Sequence, residues 1–144
     1  QQRCIVRHAI SGPSSKWEPC LSRTASIAIV DDDRAIRAGL SSLIRSVGLN
    51  VELFESASDF IAAAASCLPD CLITDIQMPG LSGLDLQKIV HEIAPNLPVI
   101  VMTAYPDPAA REKALAAGAV AFLSKPFDAE ELLRCVDRAL QGSR

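Results

Sequence analysis

The most informative segment of this chain reads Cys71-Leu72-Ile73-Thr74-Asp75-Ile76-Gln77-Met78-Pro79-Gly80. Its first four residues form a short apolar run typical of buried parallel strands, and its final Pro-Gly pair predicts a turn. Asp75 therefore lies where the strand ends. Aspartate is a poor strand residue and is rarely buried without a partner, whereas the carboxyl ends of strands in open α/β sheets are where ligands bind. We interpret Asp75 as a functional residue.

Strand and helix patterns alternate along the rest of the chain. Short apolar runs predict five strands, over residues 27–30, 51–54, 71–74, 99–102 and 119–123. Helical spacing and capping residues predict a helix after each strand, within residues 33–48, 56–66, 82–94, 107–118 and 128–140. The alternation predicts an α/β fold of the doubly wound class, with a five-stranded parallel sheet and helices on both faces.

Two of the predicted helices differ in how much apolar surface they offer. The first helix is expected to bury residues that recur at helical spacing, namely Ile36, Leu40, Leu43, Ile44 and Val47. The fourth helix is mostly alanine, with Leu115 as its only large apolar residue. We therefore expect the fourth helix to be the least firmly packed.

Length and composition favour one soluble domain. The chain has 144 residues, of which 49% are hydrophobic and 22% charged. Residues 1–25 show no hydrophobic period and are interpreted as a disordered or appended N-terminal extension, so the predicted domain spans residues 26–142. The net charge of −3 gives no reason to expect direct nucleic-acid binding, and no apolar run approaches the roughly 18 residues of a membrane span. The five cysteines make no CxxC pair, so we expect neither zinc nor a disulfide framework, and a cytoplasmic location.

Functional-looking side chains follow four of the predicted strands. If the strands are parallel, these side chains share one edge of the sheet: Asp31, Asp32 and Asp33 after the first strand, Asp75 after the third, Thr103 after the fourth and Lys125 after the fifth. The acids can meet only if the first and third strands are neighbours, as in the strand order 2-1-3-4-5. Clustered carboxylates resist ionisation unless a cation joins them, and Mg²⁺ is the natural choice because it prefers oxygen ligands.

This set of groups suits the acceptance of a phosphoryl group. Asp75 would attack phosphorus and become an aspartyl phosphate. Asp32 and Asp75 would hold Mg²⁺, with Asp31 in support. Lys125 would contact a phosphoryl oxygen, and the Thr103 hydroxyl would donate a hydrogen bond to one. Asp33 is better explained as the N-cap of the first helix.

Residues 26–141 resemble the receiver domain of two-component response regulators. The matching motifs are Val30-Asp31-Asp32-Asp33, the segment from Asp75 to Gly80 with Gly83, Thr103-Ala104 and Lys125-Pro126-Phe127. Each motif is weak alone, but all four occur in order at predicted strand ends. The resemblance is closest to the FixJ/NarL-type regulators, and it implies the CheY-like, flavodoxin-like strand order 2-1-3-4-5.

The resemblance implies a signalling phosphoacceptor rather than a conventional enzyme. A sensor histidine kinase would donate a phosphoryl group to Asp75, and the domain would promote its own phosphorylation and slow dephosphorylation. The resemblance also implies bound Mg²⁺, or another divalent cation such as Mn²⁺, with ligands Asp32, Asp75, the Gln77 backbone carbonyl and, through water, Asp31. The Lys125–Pro126 peptide bond would be cis.

The resemblance further implies a switching surface. Thr103 and Phe122 would move together and remodel the fourth helix, the fifth strand and the fifth helix, through which a phosphorylation-dependent homodimer would form. FixJ-like regulators usually carry a DNA-binding output domain after the receiver. No such segment follows here, so we expect DNA contact only through an output domain absent from this sequence, and no membrane contact.

Three other functions are weighed against this one. A dinucleotide-binding domain would need a glycine-rich turn after the first strand, where acids stand instead. A phosphatase with an aspartate nucleophile could use Asp31 and Asp33, but it lacks a second acid pair near Asp75. A degenerate receiver that acts only as a protein-interaction module is the main alternative. The complete set of acids, threonine and lysine speaks against it.

Overall fold

The computed structural model describes residues 24–142, and within them five strands alternate with five helices. In chain order the elements are β1 (Ser26–Val30), α1 (Arg34–Arg45), β2 (Asn50–Phe54), α2 (Ala57–Ala64), β3 (Cys71–Asp75), α3 (Gly83–Ile93), β4 (Val99–Thr103), α4 (Pro108–Ala116), β5 (Ala121–Ser124) and α5 (Ala129–Gly142). The strands form one parallel sheet in the order β2-β1-β3-β4-β5. The predicted fold class and strand order are confirmed.

The register of the sheet aligns the functional strand ends. Val30 pairs with Thr74, so the residues that follow them, Asp31 and Asp75, come next to each other. Asp75 in turn pairs with Met102, directly before Thr103. Since Thr103 pairs with Ser124, Lys125 is the next residue beyond the same edge. Parallel strands of nearly equal length thus bring four distant parts of the chain to one edge.

Apolar side chains of the central strands pack on both faces of the sheet. On one face, Ile29, Ile73 and Ile100 are fully buried beneath α1 and α5. On the other face, Leu72 and Val101 are fully buried beneath α2, α3 and α4. Burial on both faces explains why these strands read as continuous apolar runs. None of the helices in the described part of the chain combines the length and apolar character that a membrane span requires.

Two boundary predictions are wrong for the same physical reason. Val47 is 51% exposed because α1 ends at Arg45, before the chain turns through Gly48 with a φ of 88°. The fifth strand begins at Ala121 rather than Ala119, because the Ala119 N–H donates to the Ala114 carbonyl and still belongs to the end of α4. In both places the turn after the helix contains apolar residues. The hydrophobic pattern assigned Val47 to the helix before the turn and Ala119 to the strand after it.

The weak packing expected for the fourth helix is confirmed. Ala114 is the buried residue of α4, and Leu115 points outward with 38% of its surface exposed. A side-chain hydrogen bond supplements this small contact, since Gln87 Nε2 of α3 donates to the Ala114 carbonyl at 2.8 Å. Helix α4 is therefore held by little apolar surface.

The three cysteines among the described residues differ in state. Cys71 and Cys135 are buried free thiols, whereas Cys67 is disulfide-bonded. The sequence predicted no disulfide framework, and the bond at Cys67 departs from that prediction. Cysteine spacing alone did not reveal this bond, because disulfide pairing depends on contacts that are distant in sequence.

The buried Cys71 thiol should make the protein less stable at alkaline pH. Burial, aided by the nearby Asp70 charge, raises the pKa of its thiol from 9.0 to about 12. Above pH 9 the unfolded chain loses this proton while the folded chain keeps it, so the free energy of unfolding falls as pH rises. We expect Cys71→Ala to remove up to about 2 kcal/mol of the loss that wild type shows between pH 8 and pH 10.5. Urea unfolding at both pH values measures this, and an unchanged loss in the variant would contradict it.

Candidate functional site

Asp31 is fixed by backbone contacts at the end of β1. Its N–H continues the sheet by donating to the Phe54 carbonyl at 3.2 Å. Its side chain is fully buried, and Oδ1 accepts a hydrogen bond from the Asp33 N–H at 2.8 Å. The Arg37 guanidinium reaches back from α1 and donates to the Asp31 carbonyl oxygen at 2.6 Å. These contacts hold the first acid of the site in one position.

The next two acids have different roles. Asp32 is exposed and points its carboxylate to the cluster, within 4.8 Å of oxygens of Asp31 and Asp75. Asp33 accepts hydrogen bonds from the N–H groups of Ala35 and Ile36, which makes it the N-cap of α1 as predicted. The structure thus brings together Asp31, Asp32 and Asp75 and assigns Asp33 to helix capping.

Lys125 lies between the two buried carboxylates. Its ammonium nitrogen is 2.9 Å from Asp31 Oδ2 and 3.2 Å from Asp75 Oδ1. Asp75 is 4% exposed, and its Oδ1 is buried and accepts no well-aligned hydrogen bond, so the ion pair is its polar contact within the described residues. The Lys125–Pro126 peptide bond is cis, as the resemblance implied.

Burial and charge compete in setting the protonation of the site. Burial raises the pKa of Asp75, the Asp31 carboxylate raises it further, and the Lys125 ammonium opposes both effects. Burial alone would lower the pKa of Lys125, but the hydrogen bond and charge of Asp31, with the charge of Asp75, raise it. Lys125 therefore stays positively charged, while the pKa of Asp75 lies above its ordinary value because burial and the Asp31 charge outweigh the ammonium.

The donor set fits a hard divalent cation. Three carboxylates lie together against one ammonium, so the cluster keeps uncompensated negative charge. All three side chains offer oxygen, and Asp75 Oδ1 is a buried acceptor without a hydrogen bond. Mg²⁺ and Mn²⁺ take such ligands while retaining water. The predicted fourth ligand, the Gln77 backbone carbonyl, stays a prediction.

The Thr103 hydroxyl makes a side-chain contact that the sequence did not indicate. Thr103 is fully buried at the end of β4. Its hydroxyl donates to Gln77 Oε1 at 2.7 Å and accepts from the Tyr105 N–H at 3.0 Å. The hydrogen bond to Gln77 joins the loop after β3 to the loop after β4. A contact between two loops leaves no periodic signal, and neither this contact nor that of Arg37 could be predicted.

Gly83 allows α3 to begin directly against the acceptor. A Cβ atom at this position would lie 2.1 Å from the Asp75 carbonyl oxygen and 2.9 Å from the Ile76 Cα. The Gly83 N–H donates to the Ile76 carbonyl at 3.0 Å. Ser82 and Asp85 form the predicted capping box at the start of this helix. The absence of a side chain at position 83 therefore lets α3 begin in contact with the Asp75 backbone.

Phe122 lies on β5 and is partly buried. It pairs with Val101 of β4 and packs against the apolar cluster beneath α2, α3 and α4. This position accounts for Phe122 as a packing residue. Its predicted switching role together with Thr103 stays a prediction.

The assembled edge of the sheet can be compared with known proteins. The family model for the response regulator receiver domain matches residues 27–137. The chain belongs to this family. The receiver domain is similar to the response regulator protein TodT of Pseudomonas putida, with 44% identity over 119 residues, which cover 83% of this chain and 52% of TodT. It is also similar to the transcriptional regulatory protein TdiR of Thauera aromatica, with 38% identity, covering 83% of this chain and 53% of TdiR.

The receiver domain thus spans about half the length of these curated relatives. A third relative, the DNA-binding transcriptional regulator NtrC of Salmonella typhimurium, is 44% identical over 112 residues, which cover 78% of this chain and 24% of NtrC. These names place the receiver domain among two-component systems whose members include transcription regulators.

Solved structures share the fold of this receiver domain. A CheY-like receiver domain protein from Methanospirillum hungatei JF-1 aligns with a TM-score of 0.80 and 28% identity, covering 83% of this chain and 96% of that one. The crystal structure of FixJ-N aligns with a TM-score of 0.76 and 32% identity, covering 83% and 95%. The FixJ protein is thus one of the structural relatives, in line with the resemblance.

Proposed function

We propose that this receiver domain accepts a phosphoryl group on Asp75 and thereby switches a protein-interaction surface. The observation that carries the proposal is the position of Asp75 beside Asp31 and Asp32, with its Oδ1 3.2 Å from the Lys125 ammonium. A carboxylate, further acids and a lysine, assembled from three strand ends, suit phosphoryl transfer, in which positioning and charge do most of the catalysis.

The proposed donor is a phosphohistidine of a sensor histidine kinase. A carboxylate oxygen of Asp75 attacks phosphorus and forms a new P–O bond while the P–N bond to the imidazole breaks. The electron pair of that bond stays on the imidazole nitrogen, which takes up a proton. The product is an aspartyl phosphate, a high-energy acyl phosphate suited to a reversible signal.

The residues of the site divide the remaining tasks. Lys125 compensates negative charge on the phosphoryl oxygens, and the Thr103 hydroxyl donates to one of them. Asp31, Asp32, Asp75 and the Gln77 backbone carbonyl would hold Mg²⁺ or Mn²⁺. When bound, the cation supplies charge neutralisation for the transferring group. Asp31 and Asp75 then need not repel each other during the reaction.

The proposed readout involves the surface around α4 and β5. Thr103 would follow the phosphoryl group and Phe122 would move with it, remodelling α4, β5 and α5. Leu115 and Val120 expose 38% and 39% of their surfaces in this region, and we propose that a homodimer forms through it on phosphorylation. Sedimentation of the chain before and after phosphorylation tests the dimer, and an unchanged mass would refute it.

We place this receiver domain in the cytoplasm as part of the same proposal. Its relatives include proteins named as transcriptional regulators, and one is named as DNA-binding. Contact of the present protein with DNA would require an output domain. The matched region covers 24% and 53% of these relatives, whose remaining length is enough for such a domain. The chain as a whole, with a net charge of −3, has no surplus of positive charge for binding DNA.

The degenerate receiver finds no support among the site residues. Such a module would tolerate loss of an acid or of the lysine, because an interaction surface does not need them. Here Asp31, Asp75 and Lys125 are present, buried or largely buried, and in mutual contact. Burying these charges costs free energy that pairing repays only in part, so a module that does not use them would gain nothing by keeping them.

The proposal is tested by intact mass spectrometry after incubation with acetyl phosphate. Wild type should gain one phosphoryl group in the presence of Mg²⁺ and none when the cation is chelated. Asp75→Asn should gain none under either condition. Folded wild type that binds Mg²⁺ and still gains no mass would overturn the phosphoacceptor function and favour the interaction module.

A further inference from the structure

The Thr103 hydroxyl is already engaged in the resting protein. It donates to Gln77 Oε1, 2.7 Å from its oxygen, and that oxygen accepts from the Tyr105 N–H at 3.0 Å. Thr103 is fully buried, whereas Gln77 is exposed. A hydroxyl has one proton to donate. The proposed hydrogen bond from Thr103 to a phosphoryl oxygen therefore requires the bond to Gln77 to break.

We propose that the Gln77 side chain is a latch on Thr103, which a phosphoryl group must displace. This inference rests on the phosphoacceptor function proposed above and adds a positioning residue to it. The latch is the amide of Gln77, as distinct from the backbone carbonyl that is the predicted metal ligand. The two groups can be tested separately, because a side-chain substitution keeps the carbonyl.

Exposure makes the latch easy to open. When the Thr103 hydroxyl turns to another acceptor, the released Gln77 amide can bond to water, so no buried group loses its partner. The cost of opening is thus the net value of one hydrogen bond. The latch also connects the loop after β3 to the loop after β4, so its opening uncouples them as Asp75 becomes phosphorylated.

The matched substitution is Gln77→Met, which keeps the length of the side chain and removes the amide acceptor. We expect it to raise the rate of Asp75 phosphorylation by acetyl phosphate by about three- to tenfold, the factor that corresponds to one hydrogen bond. The Mg²⁺ concentration that gives the half-maximal rate should not change, because the backbone carbonyl is kept. Gln141→Met, the same change on the exposed face of α5, is the control and should keep the wild-type rate.

A Thr103→Val background distinguishes loss of the hydrogen bond from a change in side-chain bulk at position 77. Thr103→Val removes the hydroxyl and keeps the shape of the side chain. In this background Gln77→Met should have no effect on the phosphorylation rate, since there is no proton left to release. An equal acceleration in both backgrounds would overturn the latch and assign the effect to bulk at position 77. An unchanged rate for Gln77→Met in the Thr103 background would overturn it as well.

A resting-state measurement tests the latch without phosphorylation. The Tyr105 N–H donates to the hydroxyl that Gln77 holds in place, so Gln77→Met should speed amide hydrogen exchange at Tyr105 several-fold. Failure of wild type to gain phosphate would refute the proposed function, while faster exchange in the variant would still support the contact. Unchanged exchange at Tyr105 would overturn the latch whether or not Asp75 is phosphorylated.

Discussion

Lys125→Met is expected to abolish efficient phosphorylation and to destabilise the cation-free protein. The ammonium lies 2.9 Å from Asp31 Oδ2 and 3.2 Å from Asp75 Oδ1, and these carboxylates belong to residues 0% and 4% exposed. Removing one partner leaves buried charges without compensation, which costs about 3 kcal/mol of unfolding free energy. Loss of one positioned charge in the transition state should slow phosphorylation by about 100-fold.

Added Mg²⁺ separates the two parts of this expectation. Millimolar Mg²⁺ should recover most of the lost stability, because a cation held by the acids replaces the missing positive charge. It should not recover the phosphorylation rate, since the contact of Lys125 with the phosphoryl group is still missing. Urea unfolding with and without Mg²⁺, together with the acetyl phosphate assay, measures both. Lys88→Met, an exposed position on α3, is the control; equal stability of the two variants without Mg²⁺ would refute the argument.

The same charge cluster shows why the adjacency of β1 and β3 could be predicted from sequence. Asp31 and Asp75 are separated by α1, β2, α2 and most of β3, yet a common cation requires them to be neighbours. Only adjacency of β1 and β3 satisfies this, and the pairing of Val30 with Thr74 realises it. Continuous apolar runs predicted which strands are central, because central strands are buried on both faces.

Local signals predicted helix starts better than helix ends. Asp33 caps α1, and Ser82 with Asp85 caps α3, since an N-cap side chain reports on hydrogen bonds within a few residues. The end of α1 was missed at Val47, because the turn that follows it is apolar. Termination of a helix depends on the competing contacts of the next turn, which periodicity does not encode.

The contacts of long polar side chains were beyond prediction. The sequence identified Thr103 as a functional residue, but not that Gln77 accepts a hydrogen bond from its hydroxyl. Likewise nothing marked Arg37 as the donor to the Asp31 carbonyl. Flexible side chains choose among several rotamers, and the choice depends on neighbours brought together only by the fold. Residue types indicate the chemistry, whereas the fold decides the partners.

Gly83→Ala is expected to destabilise the protein by about 3 kcal/mol, at the upper end of the usual range for overpacking. The added Cβ would lie 2.1 Å from the Asp75 carbonyl oxygen and 2.9 Å from both the Asp75 carbonyl carbon and the Ile76 Cα. These are backbone atoms, so no side chain can rotate away to make room. The start of α3 must move instead, which strains the hydrogen bond from the Gly83 N–H to the Ile76 carbonyl.

The displacement should reach the acceptor as well as the fold. Because two of the three colliding atoms belong to Asp75 itself, we expect slower phosphorylation of the folded variant by acetyl phosphate, at a temperature where it is fully native. Gly39→Ala in α1 is the matched control, since a Cβ there meets nothing within 4 Å. It should stabilise the protein by roughly 0.5–1 kcal/mol, because alanine loses less backbone entropy than glycine in a helix. Equal stability of the two variants in urea unfolding would refute the argument that α3 lies too close to Asp75 for a side chain at position 83.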